Sequence, residues 1–329
     1  MIKNNIGGIM KKYIGIISII LIFCFILSGC AGTGANNGEN AGNATTTDAQ
    51  DETPAAVYDE NGLVTITYDD KEESGYGSAE LKVSGRYSSG KKITVTIPEG
   101  QHFLAITIAK DVLEESILYL KNDKFSYTVP SSFTASYPSD MQRTGCVISA
   151  RIPTVDELSA NHNLALNTSD LVNAKNIYPH ATSNNVYQDN NSPEWQARNI
   201  IDGFTQNTAH GTYPYQSWGP NSTVASKDYV KIDFGHDVSV EELILYIRAD
   251  FDHDGYWGSC TVEFSDGSTM DINGIKKTNK AQTFTFDAPI VTSSLKFSGF
   301  EKGSNSVGDW CAWVELQATG TEIVSGIGG

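Results

Sequence analysis

The feature that most restricts this chain's fold is a period-two alternation of apolar and polar residues, recurring in short runs from Leu63 to Gln317. In Tyr229-Val-Lys-Ile-Asp-Phe-Gly235, Val230, Ile232 and Phe234 fall on one face and Lys231 and Asp233 on the other. Strand side chains alternate between faces, so such a run describes a strand with one face buried and one wet. The first half of the chain holds six such runs: 63–68, 79–83, 92–97, 103–108, 116–120 and 125–129. In the second half the alternation returns at 242–246, at Phe284 and Phe286, at Leu295 and Phe297, and at 313–317. Turn-forming clusters punctuate the runs: Ser89-Gly-Lys91, Pro98-Glu-Gly100 and Pro130-Ser-Ser132. Lys121-Asn-Asp-Lys124 reads as a hairpin between its flanking runs, as does Phe264-Ser-Asp-Gly-Ser268. Helical signals are short. Asp111-Val-Leu-Glu-Glu-Ser116 suits a single turn, and the capping box Thr154-Val-Asp-Glu157 predicts a helix over 155–160. The expectation is an all-β protein of two β-sandwich domains, 55–152 and 163–320, with a linker at 153–162 and a flexible tail at 321–329.

Residues 1–29 have the layout of an export signal: Lys3, Lys11 and Lys12, then an apolar run from Tyr13 to Leu27. That run falls short of the ~20 residues that span a bilayer as a helix. Leu27-Ser-Gly-Cys30 resembles the bacterial lipoprotein box, in which the cysteine is lipidated and becomes the first mature residue. The resemblance implies an extracytoplasmic protein anchored to the cell membrane by acyl chains on Cys30, each buried methylene contributing about 0.8 kcal/mol. Gly, Asn, Thr and acidic residues then dominate to residue 54. Such a segment cannot offset its ordering entropy by burial, so 30–54 reads as a flexible tether.

Twenty-three Lys and Arg against 39 Asp and Glu leave a formal net charge of −16. That balance argues against nucleic acid as a partner, because phosphate binding needs clustered cations. Of five cysteines, Cys24 lies in the leader and Cys30 is the lipidation site, leaving Cys146, Cys260 and Cys311. Either Cys260 pairs with Cys311 or all three are buried thiols; in neither case is this a disulfide scaffold.

The densest chemistry lies in Tyr246-Ile-Arg-Ala-Asp-Phe-Asp-His-Asp-Gly-Tyr-Trp257. Arg248, Asp250, His253 and Asp254 offer hydrogen bonds, while Tyr256 and Trp257 offer flat apolar faces. Sugars are recognised by that mixture of polar partners for hydroxyls and aromatic platforms for C–H faces. His210, Tyr213 and Tyr215 form a second cluster leading to Trp218, and Trp310 adds another ring. Plainer readings compete: Arg248 and Asp250 as an internal ion pair that holds the loop, Trp218 as core, His253 as a solvated loop residue. Catalysis is disfavoured. Asp250, Asp252, Asp254 and Glu194 supply carboxylates, but aspartates two apart in one loop are not the opposed pair that glycoside hydrolysis needs. No HExxH or GxSxG motif is present.

Asn163-Leu-Ala-Leu-Asn167, Ala197-Arg-Asn-Ile-Ile-Asp-Gly203, Trp218, the runs at 229–235 and 242–246, and Trp313-Val-Glu-Leu-Gln317 follow one another in a telling order. That order resembles the discoidin, or coagulation-factor type C, fold and within it the family-32 carbohydrate-binding modules. The resemblance spans about residues 163–320. It implies a galactose-binding-like jelly-roll sandwich with ligand loops at one end and carbohydrate as the partner, bound without catalysis. It also implies a structural Ca²⁺ held by Asp202, Asn207, Thr208 and Glu315, in keeping with that ion's demand for 6–8 oxygen ligands. Against this, Asp202 could simply cap its own turn. The alternative function is protein–protein adhesion or cell-envelope assembly on the same scaffold, since fold does not fix function.

Overall fold

A computed structural model describes residues 58–133, 137–187, 195–206, 217–221 and 227–324. The export signal, the tether and Cys30 lie outside these residues.

The first half folds into two antiparallel sheets. Its strands are β1 (Leu63–Tyr68), β2 (Lys71–Tyr76), β3 (Ser78–Lys82), β4 (Lys92–Thr96), β5 (Phe103–Thr107), β6 (Ser116–Leu120), β7 (Lys124–Thr128) and β8 (Val147–Arg151). One sheet runs β2-β1-β4-β7. The other contains β6-β5-β8-β3 and gains a fifth strand, β10 (Ile177–Tyr178), at its β6 edge. Inward residues of both sheets share one core, among them Ile66, Ile93, Phe125 and Tyr127 with Leu81, Leu104, Ile106, Leu118 and Ile148.

Two expectations need correction here. Lys121-Asn-Asp-Lys124 is not a hairpin: β6 pairs with β5 and β10, whereas β7 pairs with β4 in the opposite sheet. The turn crosses the core because Asp123 is anchored elsewhere; its carbonyl accepts from Ile97 N and its side chain from Gly100 N. Strand β2 escapes the alternation reading because Lys-Glu-Glu-Ser-Gly-Tyr is almost wholly exposed at a sheet edge, with no buried face to imprint a pattern.

The capping box does form. Thr154 Oγ1 accepts from Glu157 N, Glu157 Oε2 accepts from Thr154 N, and helix α1 spans Val155–Ser159. Beyond it come β9 (His162–Asn163), β11 (His180–Ser183), β12 (Val230–Ile247), β13 (Trp257–Phe264), β14 (Thr269–Asn273), β15 (Gln282–Lys302) and β16 (Trp313–Glu322). The sheet order is β14-β13-β15-β12-β16-β9, with β11 also pairing with β12. The runs at 229–235 and 242–246 belong to the single 18-residue β12, interrupted by register shifts where it bends. Bends of this kind let long strands wrap a core centred on Trp218, Trp257, Phe297, Phe300 and Trp313. Strand β16 reaches Glu322, two residues into the segment that reads as tail.

The two halves meet through β10 and through His236. The His236 ring stacks on Tyr119 at 4.2 Å and meets Phe103 edge-on at 5.2 Å. Its Nε2 lies 2.7 Å from Glu322 Oε2, and His162 Nε2 faces the other oxygen of the same carboxylate at 3.4 Å. Burial pushes the Glu322 carboxyl up, but hydrogen bonding from His162 and His236 outweighs it and holds the group below its ordinary value. Burial pushes the His162 imidazole down, and the Glu322 carboxylate outweighs that and holds it above its ordinary range. The Glu322 contribution is therefore present above about pH 4.3 and lost as pH falls through its lowered folded value; the His162 contribution is present below about pH 6.5 and lost as pH rises through its raised one. Thermal melts followed by circular dichroism should give a higher Tm near pH 5.5 than at pH 8, and Glu322→Gln should make that decline shallower. An unchanged decline in Glu322→Gln would remove this cluster as its source.

Candidate functional site

The site is built at the end of β12, where the chain leaves the sheet. Arg248 keeps its backbone in the sheet by donating N–H to the Ala312 carbonyl at 3.0 Å. Its side chain turns into the following loop, where Nε and Nη2 donate to Asp254 Oδ1 at 3.0 and 2.8 Å. The other carboxylate oxygen, Oδ2, accepts the backbone N–H groups of Asp250 and Phe251 at 3.1 and 3.0 Å. Asp254 is fully buried and Arg248 is 5% exposed. Desolvating two charges costs several kcal/mol each, and the four hydrogen bonds to Asp254 are what makes this burial tolerable.

Above the guanidinium lies Trp195, its ring centroid 4.9 Å from Arg248 Cζ. Tyr187 meets Trp195 edge-on at 6.1 Å and Trp310 edge-on at 4.7 Å. Together with Pro220 and His253 they line a concavity of about 240 Å³ that has Arg248 in its wall. Trp310 is 44% exposed, so one broad indole face is available to a ligand. The loops around it approach backbone to backbone. A Cβ on Gly255 would fall 2.5 Å from the Gly308 carbonyl oxygen, and one on Gly308 would fall 2.3 Å from that of His253. Glycine is therefore required at both positions to keep the 250–256 and 303–311 segments together.

A second cluster lies where the Asp202 turn meets β16. Glu315 is fully buried and Asp202 is 3% exposed. Gly203 N donates to Glu315 Oε2 at 3.3 Å and Phe204 N to Asp202 Oδ1 at 3.0 Å. The remaining oxygens, Asp202 Oδ2 and Glu315 Oε1, are buried without a hydrogen-bond partner. Burial pushes the Asp202 carboxyl up to about 8. Burial and then the neighbouring Asp202 push Glu315 well above the ordinary carboxylate range.

Residues 180–316 match the family of F5/8 type C domains. This stretch is an F5/8 type C domain. Among solved structures, the chain is similar to a family 32 carbohydrate-binding module of C. perfringens in complex with galactose, at 17% identity, covering 42% of this chain and 91% of that one, with a TM-score of 0.33. It is also similar to chitosan-binding module 1 of a Paenibacillus sp. chitosanase/glucanase, at 17% identity over 47% of this chain and 97% of that one (TM-score 0.32). A Streptococcus pneumoniae fucose-binding module matches at 14% identity over 48% and 96% of the two chains, with a TM-score of 0.32. No curated protein matches.

Within the F5/8 type C domain, the residues singled out from the sequence separate into distinct places. Arg248 and His253 reach the aromatic concavity. Asp254 does not face it; both its oxygens are occupied by the loop. The ion-pair partner of Arg248 is Asp254, and Asp250 instead borders a separate depression with Tyr246 and Asn279. Trp257 is 2% exposed within the tryptophan core, in contact with Trp218, Phe300 and Trp313. Tyr256 is also buried, its ring over Gly303, where a Cβ would fall 2.1 Å from Tyr256 Cζ. These two rings are thus scaffold: Trp257 begins β13 and packs in the core, and Tyr256, just before the strand, is closed in over Gly303. His210, Tyr213, Tyr215, Asn207 and Thr208 lie outside the described residues, as does Glu194. Trp218 is core, fully buried. Cys260 and Cys311 are free thiols, both buried. Sequence reading missed Tyr187, Trp195 and Pro220, which sit in irregular segments with no periodicity; the only available signal was an aromatic residue in an otherwise polar loop.

Replacing Asp254 by Ala would strand the buried Arg248 charge and release two backbone N–H groups, a loss of about 3–5 kcal/mol for a broken buried pair. Urea unfolding should show it as a lower midpoint, while Asp250→Ala should shift the midpoint little. Equal midpoints for Asp254→Ala and the parent would contradict the role assigned to the pair.

Proposed function

We propose that this protein is a membrane-anchored extracytoplasmic lipoprotein that binds carbohydrate, without catalysis, through its F5/8 type C domain. The observation that carries the reading is the concavity in which Trp310, Tyr187 and Trp195 surround the Arg248 guanidinium and the exposed His253. An exposed indole suits the C–H face of a pyranose, and the imidazole and guanidinium suit its hydroxyls. Arg248 is held from below by Asp254, so a ligand would meet a donor set fixed in advance, which lowers the ordering cost of binding. The solved structures named above include a family 32 module in complex with galactose and a fucose-binding module, and a sugar as the partner accords with these. The lipobox at Cys30 supports anchoring through a lipid.

A glycan-array screen of the full chain in detergent tests the proposal. The parent should bind at least one glycan, and Trp310→Ala should weaken that binding roughly tenfold, or about 1.4 kcal/mol, as truncation of a central aromatic contact does. Binding to no glycan would favour the adhesion or envelope-assembly reading instead.

The Asp202–Glu315 cluster fits a structural Ca²⁺. Two buried, unpartnered carboxylate oxygens are hard, anionic donors that a divalent cation would satisfy. Asn207 and Thr208, the other two residues that the resemblance implies, would add neutral oxygens. Bound there, the ion would neutralise the two carboxylates and tie the Asp202 turn to β16. Added Ca²⁺ should raise the Tm of the parent and EDTA should lower it, whereas Asp202→Asn should abolish the response. A Tm indifferent to both reagents would leave Asp202 as a turn cap only.

A further inference from the structure

A second, larger concavity lies between the first sandwich and the F5/8 type C domain. Its volume is about 890 Å³, at the upper end of the range for small-molecule clefts. One wall is the outward face of β4 and β7, where Lys92 lies opposite Thr128 in register and Lys124 and Ser126 follow along the same face. The other wall is the segment 171–177, which carries Lys175, and the floor includes Arg198.

Charge distinguishes this cleft. The chain has 39 acidic residues against 23 basic, yet among the described residues the lining contains Lys92, Lys124, Lys175 and Arg198 and no Asp or Glu. An outward-facing lysine on a sheet edge is ordinary by itself. Arg198 is not ordinary. It is 5% exposed and comes from the Ala197–Ile200 turn, its Nη1 donates to the Asp170 carbonyl at 3.3 Å, and its Cζ lies 5.5 Å from the Tyr137 ring centroid. Its Nη2 is buried with no hydrogen-bond partner. That nitrogen is closed to solvent and the guanidinium's charge is met from within by Tyr137, Asp202 and Asp170, so Arg198 supports the cleft floor and the exposed lysines are the groups a ligand would meet. The lining contains no aromatic ring, so recognition here would rest on charge and on the Ser126 and Thr128 hydroxyls rather than on stacking.

We propose that this cleft is a second binding site, which takes an acidic polysaccharide, with its carboxylate or sulfate groups along Lys92, Lys124 and Lys175. Its lining shares no residue with that of the aromatic concavity. A long-range charge of −16 repels polyanions, so retention of one would have to arise from a local cationic surface.

Affinity gel electrophoresis of the full chain in detergent provides the test, with polygalacturonate, dextran sulfate or neutral dextran cast in the gel. The parent should be retarded by at least one polyanion and not by dextran, with retardation fading as salt is raised. Retardation by polygalacturonate identifies the carboxylate and by dextran sulfate the sulfate as the group bound. The double variant Lys92→Glu, Lys124→Glu, whose side chains lie on the surface, should bind at least tenfold more weakly with an unchanged Tm, and Trp310→Ala should bind as the parent does. No retardation by either polyanion, or equal retardation of parent and double variant, would overturn the proposal. Loss in Trp310→Ala alone would overturn it too, by assigning polyanion binding to the aromatic concavity.

Discussion

The candidate site depends on the buried ion pair between Arg248 and Asp254. One carboxylate group ends β12, closes the loop after it and aims a guanidinium at Trp195. Each partner alone would be an uncompensated charge in the protein interior, so the pair stands or falls together. Its consequence is geometric. The loop cannot relax without breaking four hydrogen bonds, and the concavity beside it inherits that rigidity. Such a pair is weak evidence for stability but good evidence for a fixed arrangement.

Beneath the pair lies the tryptophan cluster, and the division of labour among aromatics follows from it. Trp218, Trp257 and Trp313 fill the core with Phe297 and Phe300, while Tyr187, Trp195 and Trp310 stand on its rim. The isolated bridge between Trp218 and Trp313 ties the loop before β12 to β16, bringing the rim residues over the end of the sheet. Core and site thus use separate sets of aromatic rings, the inner set satisfied by packing and the outer set lining the concavity.

The junction between the two halves is built differently. It uses a two-residue strand, β10, together with His236 on Tyr119 and the carboxylate of Glu322. Gly235 allows the approach: at φ +75° it lies against the Tyr178 ring, where a Cβ would fall 2.4 Å from Cδ2. The cationic cleft opens beside this seam, from residues contributed by both halves. Neither sandwich would form it alone.

Much of the fold was legible in the sequence, because a strand's inward and outward faces are written locally, every second residue. The alternation at 230–234 predicts its own burial, and the capping box at Thr154 predicts α1 from four residues. The F5/8 type C domain was legible as well, since its motifs keep their order along the chain. What local pattern cannot encode is which distant group each side chain meets. Arg248 has aspartates two and six residues on, and only the course of the loop selects Asp254 over Asp250. Trp257 and Trp310 look equivalent in sequence, yet one starts a strand facing the core and the other stands on an exposed loop. Likewise Lys121–Lys124 has the composition of a hairpin, and only the anchoring of Asp123 by residues 97–100 sends β7 into the other sheet. The sequence by itself determined the all-β class and the face of most strands, through periodicity. The tertiary structure decided partners, because pairing depends on contacts between residues far apart in the chain, and burial assigns each polar or aromatic group to core or site only once those contacts exist.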